Sequence, residues 1–166
     1  VEVVAVHGTE TDIRVYQGDI ESFTAAESQG VGIRVVQDGR QGMAYAGSLD
    51  VDVLNETLEE ARDNAAFGTP DEFQGIAEPD GIESVSLELL DSSLADFANE
   101  EKIALAIELE RSILQSDSRI IGVESTDYVD SITTSAIVTS TGIHRANQEG
   151  GCYVAASSLA SDGVDT

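Results

Sequence analysis

The spacing of apolar and polar positions changes period along the chain. At the start, "VEVVAVHG" (1–8) and "TDIRVYQG" (11–18) run apolar or alternate with β-branched residues, and each stops at glycine, which predicts two short strands. "IESFTAAESQ" (20–29) is a weaker continuation of the sheet, since its Ala and Glu content counts against a strand. Val31, Ile33 and Val35 then point one way and Gly32, Arg34 and Val36 the other, the period of a half-buried strand. Asp38-Gly39 interrupts it, and Asp-Gly between extended segments predicts a two-residue hairpin, because a type I′ turn needs positive φ at both central positions. The return strand is Arg40–Ala46.

The period then lengthens. In "SLDVDVLNETLEEARDNAAF" (48–67), Leu54, Leu58, Ala61 and Ala65 fall on one helical face, with Asp50 as the cap and Leu49 and Leu54 as a hydrophobic staple. Residues 68–98 hold both prolines and many acids, and read as a long connection with at most one short element. "NEEKIALAIELERSILQSDS" (99–118) restores the helical period, with Asn99 as cap, Glu100 and Glu101 near the positive end, and Ile103, Ile107 and Leu114 facing inward. The final third is β-branched and punctuated at Thr141-Gly142 and Gly150-Gly151, which predicts three or four more strands. Strands, then helices, then strands imply one α+β domain over 1–166, a two-layer sandwich whose two main helices cover a mainly antiparallel or mixed sheet. No residue-level repeat links the first and last thirds.

Charge narrows the partners. The 32 acidic and eight basic residues give a formal net charge of -24, so the surface repels nucleic-acid phosphates and anionic membranes. Lys102 is the sole lysine, a balance that fits salt adaptation or, alternatively, a surface of carboxylates imitating DNA. No apolar run approaches the roughly 18 residues of a membrane span. With a single cysteine, Cys152, and no signal-type start, a cytoplasmic location is expected. Opening on Val1 rather than Met, the chain is expected to be a segment of something larger.

Candidate chemistry is sparse. "GVGIRVVQDGRQGMAYAG" (30–47) invites comparison with a phosphate loop, but Gly30 and Gly32 lack the third glycine of G-x-G-x-x-G and lead into a hairpin, not a helix. His7 and His144 are the only histidines, without H-E-x-x-H or a second cysteine, so a zinc site made by these residues is not expected. His144 with Cys152 could form a nucleophile pair, against the alternative of a small buried Cys. Asp19 and Glu21 share a strand face beside a turn and are expected to meet only water. Asp50, Asp52 and Asn55 lack the spacing of a calcium loop, and helix capping explains them better. The Asn55-Glu56-Thr57 sequon lies on a predicted helix. No G-x-S-x-G elbow occurs, and the Ser and Thr residues between Ser125 and Thr141 read as polar strand faces.

One resemblance goes further. "YQGDIESFTAAESQGVGIRVVQDGRQGMAYAGSLDVDVLNETLEEARDNA" resembles the amino-terminal region of the TldD/PmbA family, named for modulation of DNA gyrase and classed as U62-type peptidases. The matching positions are Gly18, Glu21, Glu27, Gly30, Gly32, Arg34, Val35, Gly39, Arg40, Gly42 and the helix that starts at Asp50. "NEEKIALAIELERSILQSDSRIIGVESTDYVDS" continues in register. Members are much longer, so the resemblance implies that this chain is their N-terminal domain. It also implies a zinc metallopeptidase complex acting on unfolded peptides. In that complex a TldD-type half carries H-E-x-x-x-H in its C-terminal part, and a PmbA-type (TldE) half pairs with it. "NAAFGTPDEFQGIAEPDG" is more similar to the PmbA-type half. The partners the resemblance implies are a TldD-type subunit or a second copy, unfolded peptide and, from the family's naming, DNA gyrase. The zinc motif is not in this sequence, so no catalytic, cofactor-binding or metal residue is carried over, and the chain is expected to be inactive alone. The rival expectation is an acidic binding module that acts on gyrase by DNA mimicry.

Overall fold

A computed structural model describes residues 1–83 and 85–164. The chain is α+β, with a five-stranded antiparallel sheet on which helices pack. Its elements are β1 (Glu2–Tyr16), β2 (Asp19–Gln37), β3 (Arg40–Ala46), α1 (Val51–Phe67), α2 (Ser93–Asp96), α3 (Asn99–Ser116), β4 (Ile120–Thr139) and β5 (His144–Ala160). The strand order is β3-β2-β1-β4-β5. The strands are longer than the sequence implies: Gly8 lies inside β1, residues 20–29 lie inside β2, and β4 and β5 replace the expected three or four strands. The turn at Thr141-Gly142 is present, with Gly142 at φ 107. Gly150-Gly151 is no turn but part of β5. A Cβ on Gly150 would meet the Leu90 side chain at 2.5 Å, so its glycine serves close approach.

The chain packs as two compact units, one formed by Val1–Gly8, Glu27–Glu88 and Thr133–Glu149, the other by Thr9–Ala26, Leu89–Ile132 and Gly150–Thr166. In the first, the β2–β3 hairpin turns at Asp38 (φ 51) and Gly39 (φ 69), as Asp-Gly predicts, and this fixes the register from Gln37↔Arg40 to Val31↔Ala46. The register sets Val31, Ile33 and Val35 opposite Ala46, Ala44 and Gly42, so bulk lies on β2 and small residues on β3. Helix α1 uses that difference. Its buried residues are Thr57, Ala61 and Ala65, and a Cβ on Gly42 would lie 2.1 Å from the Ala61 carbonyl oxygen and the Ala65 nitrogen. Leu54 and Leu58 pack at the edge of this core. Asn64 Nδ2 donates to the Met43 carbonyl at 2.9 Å, and Arg40 Nη1 donates to the Gly68 carbonyl at 2.6 Å, closing a helix end whose last turn has no basic residue.

In the second unit Ile13, Val15, Ala106 and Tyr128 form the core, ringed by Phe97, Ile103, Ile107 and Val154. The face of α3 differs from the expectation. Its buried residues are Lys102, Ala106 and Glu110, with Ile103 and Ile107 flanking them, while Leu114 is 45 % exposed. Each four-residue step rotates such a stripe by about 40°, so a face centred on Ala106 leaves Leu114 beyond its edge. The caps differ too. Asp50 sits at the N-cap of α1, but its carboxylate accepts from the Ser48 hydroxyl at 3.0 Å and bonds no helix N–H. Leu49 is exposed. Asn99 is the first residue of α3; Ala98 is the cap, and its N–H donates to Glu101 at 3.3 Å.

Candidate functional site

The residues that the sequence singles out are not brought together. His144 and Cys152 lie on β5 eight residues apart, about 26 Å at strand rise, so they form no nucleophile pair. Cys152 is exposed rather than buried, because β5 is the outermost strand of the sheet. His7 Nε2 lies 2.7 Å from Glu27 Oε1 in an exposed cross-strand pair. Asp19 accepts the Ile20 N–H at 2.8 Å, and both Asp19 and Glu21 are exposed. Gly30 and Gly32 form no anion cradle. Gly32 stands opposite Tyr45, where a Cβ would come within 3.2 Å of the ring, and the two glycines floor a shallow apolar recess with Val4, Val6 and Tyr45.

The concentration of ionisable groups lies elsewhere, inside the second unit, where sequence reasoning did not place it. Lys102 Nζ meets Asp130 Oδ2 at 2.5 Å, and both side chains are 8 % exposed. The same oxygen accepts the Tyr128 hydroxyl at 2.9 Å, and Lys102 Nζ also donates to Thr11 Oγ1 at 3.2 Å. The ammonium lies 5.8 Å from the centre of the Tyr128 ring, a cation–π distance, and Phe97 tilts against that ring at 6.1 Å. Burial, and after it the Asp130 hydrogen bond and charge, push the Tyr128 phenol well above its ordinary value and keep it protonated. Two turns along α3, the Glu110 carboxylate accepts the backbone N–H groups of Gln17 at 2.8 Å and Gly18 at 2.6 Å. It thereby holds the β1–β2 turn, where Gln17 (φ 55) and Gly18 (φ 77) are left-handed.

Lysine, aspartate and tyrosine could in principle carry proton transfer. Here each is bonded to its neighbours and closed off from solvent, which makes the group a latch between α3, β1 and β4. Its sequence signal was Lys102 itself, the sole lysine, on the face of α3 that also carries Ala106 and Glu110. Thr126 Oγ1, fully buried, has no hydrogen-bond partner. Among the described residues, no three His, Cys, Asp or Glu side chains are grouped so as to hold a metal ion. No helix of the described residues is long and apolar enough to cross a membrane.

Residues 1–65 match the family profile described as PmbA/TldA metallopeptidase domain 1, and residues 92–166 match the PmbA/TldA metallopeptidase central domain. Metalloprotease PmbA of Escherichia coli O157:H7 is 26 % identical over 129 residues, 76 % of this chain and 28 % of that protein. A PmbA homolog from Haemophilus influenzae is 28 % identical over 123 residues, 73 % of this chain and 26 % of its own length. The fold matches TldE from Thermococcus kodakarensis with a TM-score of 0.81 at 20 % identity, over 98 % of this chain and 36 % of that one. A Bacteroides thetaiotaomicron protein, named for a suggested role as modulator of DNA gyrase, gives 0.85 at 20 % identity over 99 % of this chain and 38 % of its own. The chain thus spans about a quarter to two-fifths of the length of these relatives. Two consecutive domains of one family, matched in order over most of the sequence, lead to one conclusion: the chain belongs to the PmbA/TldD family of metallopeptidases.

Proposed function

We propose that this chain is the amino-terminal scaffold of a PmbA/TldD-type metallopeptidase complex that acts on unfolded peptides in the cytoplasm, from the PmbA-type subunit that pairs with a zinc-bearing TldD-type partner. The observation that carries this reading is the use of the buried ionisable groups: Lys102, Asp130 and Glu110 are all bonded inward to hold strands and a turn.

The test has two arms. The purified 166-residue chain is incubated with an unstructured peptide with and without a chelator, and zinc binding is measured by calorimetry. The expected result is no cleavage and no tight zinc binding, with activity appearing when the full-length chain is mixed with a TldD-type subunit. Chelator-sensitive cleavage by the isolated chain would overturn the scaffold reading.

The gyrase-modulator name of one structural relative and the charge of -24 favour a second reading, direct action on gyrase with carboxylates in place of DNA phosphates. A supercoiling assay at moderate salt separates the two, since the scaffold reading expects no inhibition at high molar excess.

A further inference from the structure

We propose that Asp80-Gly81 is a modification site: the link between them rearranges spontaneously through a cyclic succinimide to an isoaspartyl link, the substrate class of carboxyl methyltransferases that act on isoaspartate. The chain holds three Asp-Gly dipeptides, at 38–39, 80–81 and 162–163. Glycine leaves the attacking nitrogen least crowded, because it has no Cβ. Residue type therefore ranks the three alike, and the fold separates them. In the rearrangement the Gly81 nitrogen gives up its proton and attacks Cγ of the Asp80 carboxyl group; a C–N bond forms, a C–O bond breaks, and water leaves. Water then adds back to the ring. Opening at the side-chain carbonyl restores aspartate, whereas opening at the backbone carbonyl leaves the chain running through Cβ and Cγ, one methylene longer, with a free α-carboxylate. No oxidant, reductant or other co-reactant enters.

Ring closure needs the carboxyl carbon beside the next nitrogen, an N–H that is not already engaged, and a peptide free to turn. Asp80 meets all three. Its Oδ1 accepts the Ile82 N–H at 2.9 Å, an Asx turn that folds the carboxyl group back over the Gly81 peptide. Among the described residues the Gly81 N–H has no hydrogen-bond partner, a Cβ on Gly81 would meet nothing within 4 Å, and residues 77–83 are all exposed. Asp162 shares the Asx turn, accepting the Val164 N–H at 2.9 Å, but the Gly163 N–H is engaged, donating to Ser161 Oγ at 3.1 Å. At Asp38 the peptide is locked. Gln37 pairs with Arg40 across the turn, the Gly39 carbonyl accepts the Asp71 N–H at 2.8 Å, and a Cβ on Gly39 would lie 3.0 Å from the Asp71 carbonyl oxygen. Closure there must wait for the hairpin to open, so its rate falls with the fraction of time the turn spends open. Asp80 also lies between the two matched family domains, which end at residue 65 and resume at residue 92, and outside both hydrophobic clusters, so the extra methylene alters this segment and leaves the cores packed.

The experiment incubates the full-length chain at neutral pH and physiological temperature in water enriched in oxygen-18. Peptides are then mapped by mass spectrometry, with electron-transfer fragmentation to tell isoaspartate from aspartate. Methyl transfer from S-adenosylmethionine by an isoaspartyl methyltransferase gives an independent count. Oxygen-18 uptake and isoaspartate are expected at residue 80 at least tenfold faster than at residue 38, and faster than at residue 162. In denaturing urea the three sites are expected to react within threefold of one another, since the selectivity belongs to the fold. Asp80→Glu, whose longer side chain would have to close a six-membered ring, is expected to abolish methyl acceptance at that position. The aged wild-type chain is expected to keep its melting temperature. Residue 80 reacting no faster than residue 38 in the folded chain, or keeping the same excess over residue 38 in urea, overturns the proposal.

Discussion

The buried latch of the second unit makes the sharpest quantitative prediction. Replacing Lys102 by Met keeps the length and apolar stem of the side chain and removes only the ammonium. Asp130 would then stay buried, its Oδ2 holding the Tyr128 hydroxyl but no cation. Removing one partner of a buried pair costs about 3–5 kcal/mol, because the remaining charge is left uncompensated. Asp130→Leu alone should cost a similar amount, since it strands the ammonium and the Tyr128 hydroxyl together. The double variant removes both charges; its residual cost is the unpartnered Tyr128 hydroxyl, about 1–3 kcal/mol. The double variant should therefore be more stable than either single one, with a coupling energy of about 3 kcal/mol or more. Urea unfolding followed by far-UV circular dichroism gives the four stabilities, and amide exchange in α3 and β4 localises the loss to this unit. On a protein of this size each kcal/mol corresponds to about 2–4 °C in Tm, so the single variants should melt about 6–20 °C lower. Additive losses, with the double variant as damaged as the sum of its parts, would show that Lys102 and Asp130 do not act as a pair and would refute the latch.

Two further outcomes follow from close packing and from titration. Gly42→Ala should cost about 3 kcal/mol or more, since its Cβ has only α1 backbone to displace, whereas Gly47→Ala, which meets nothing within 4 Å, should be neutral by the same thermal melt. In an alkaline titration read at 295 nm, Tyr128 should ionise well above the ordinary value of a phenol. Because its folded pKa is raised, its contribution to stability is complete below about pH 10 and is lost as pH rises towards the folded pKa. Ionisation of Tyr128 at the ordinary phenol value in the folded protein would contradict its burial against Asp130.

Turns and hairpin registers were legible in the sequence because they are local. Asp38-Gly39 needs positive φ at two adjacent positions and announces it by residue type, and β3 follows with the stated bounds. The two main helices were legible for the same reason, since a period of 3.6 needs only a dozen residues to declare itself. Strand ends were not. Gly8 and Gly150 look like stops, yet neither has a positive φ in the fold, and each lies within a paired strand where the ladder continues through it. Residues 20–29 form strand despite poor propensity because neighbouring backbone is there to pair with, which no local pattern records.

The candidate site divides the same way. The sequence by itself determined the chemistry available: an acidic chain with two histidines, one cysteine and one lysine, a glycine pattern that belongs to a hairpin, and enough motif to mark the family. Only the tertiary structure decided which of those residues meet. Lys102, Asp130, Tyr128 and Thr11 are scattered over about 120 positions, and Glu110 lies 92 positions from Gly18. A side chain becomes a latch, a cap or a bystander according to the low-dielectric neighbours that long-range pairing brings to it, and that energy is absent from any local stretch of sequence.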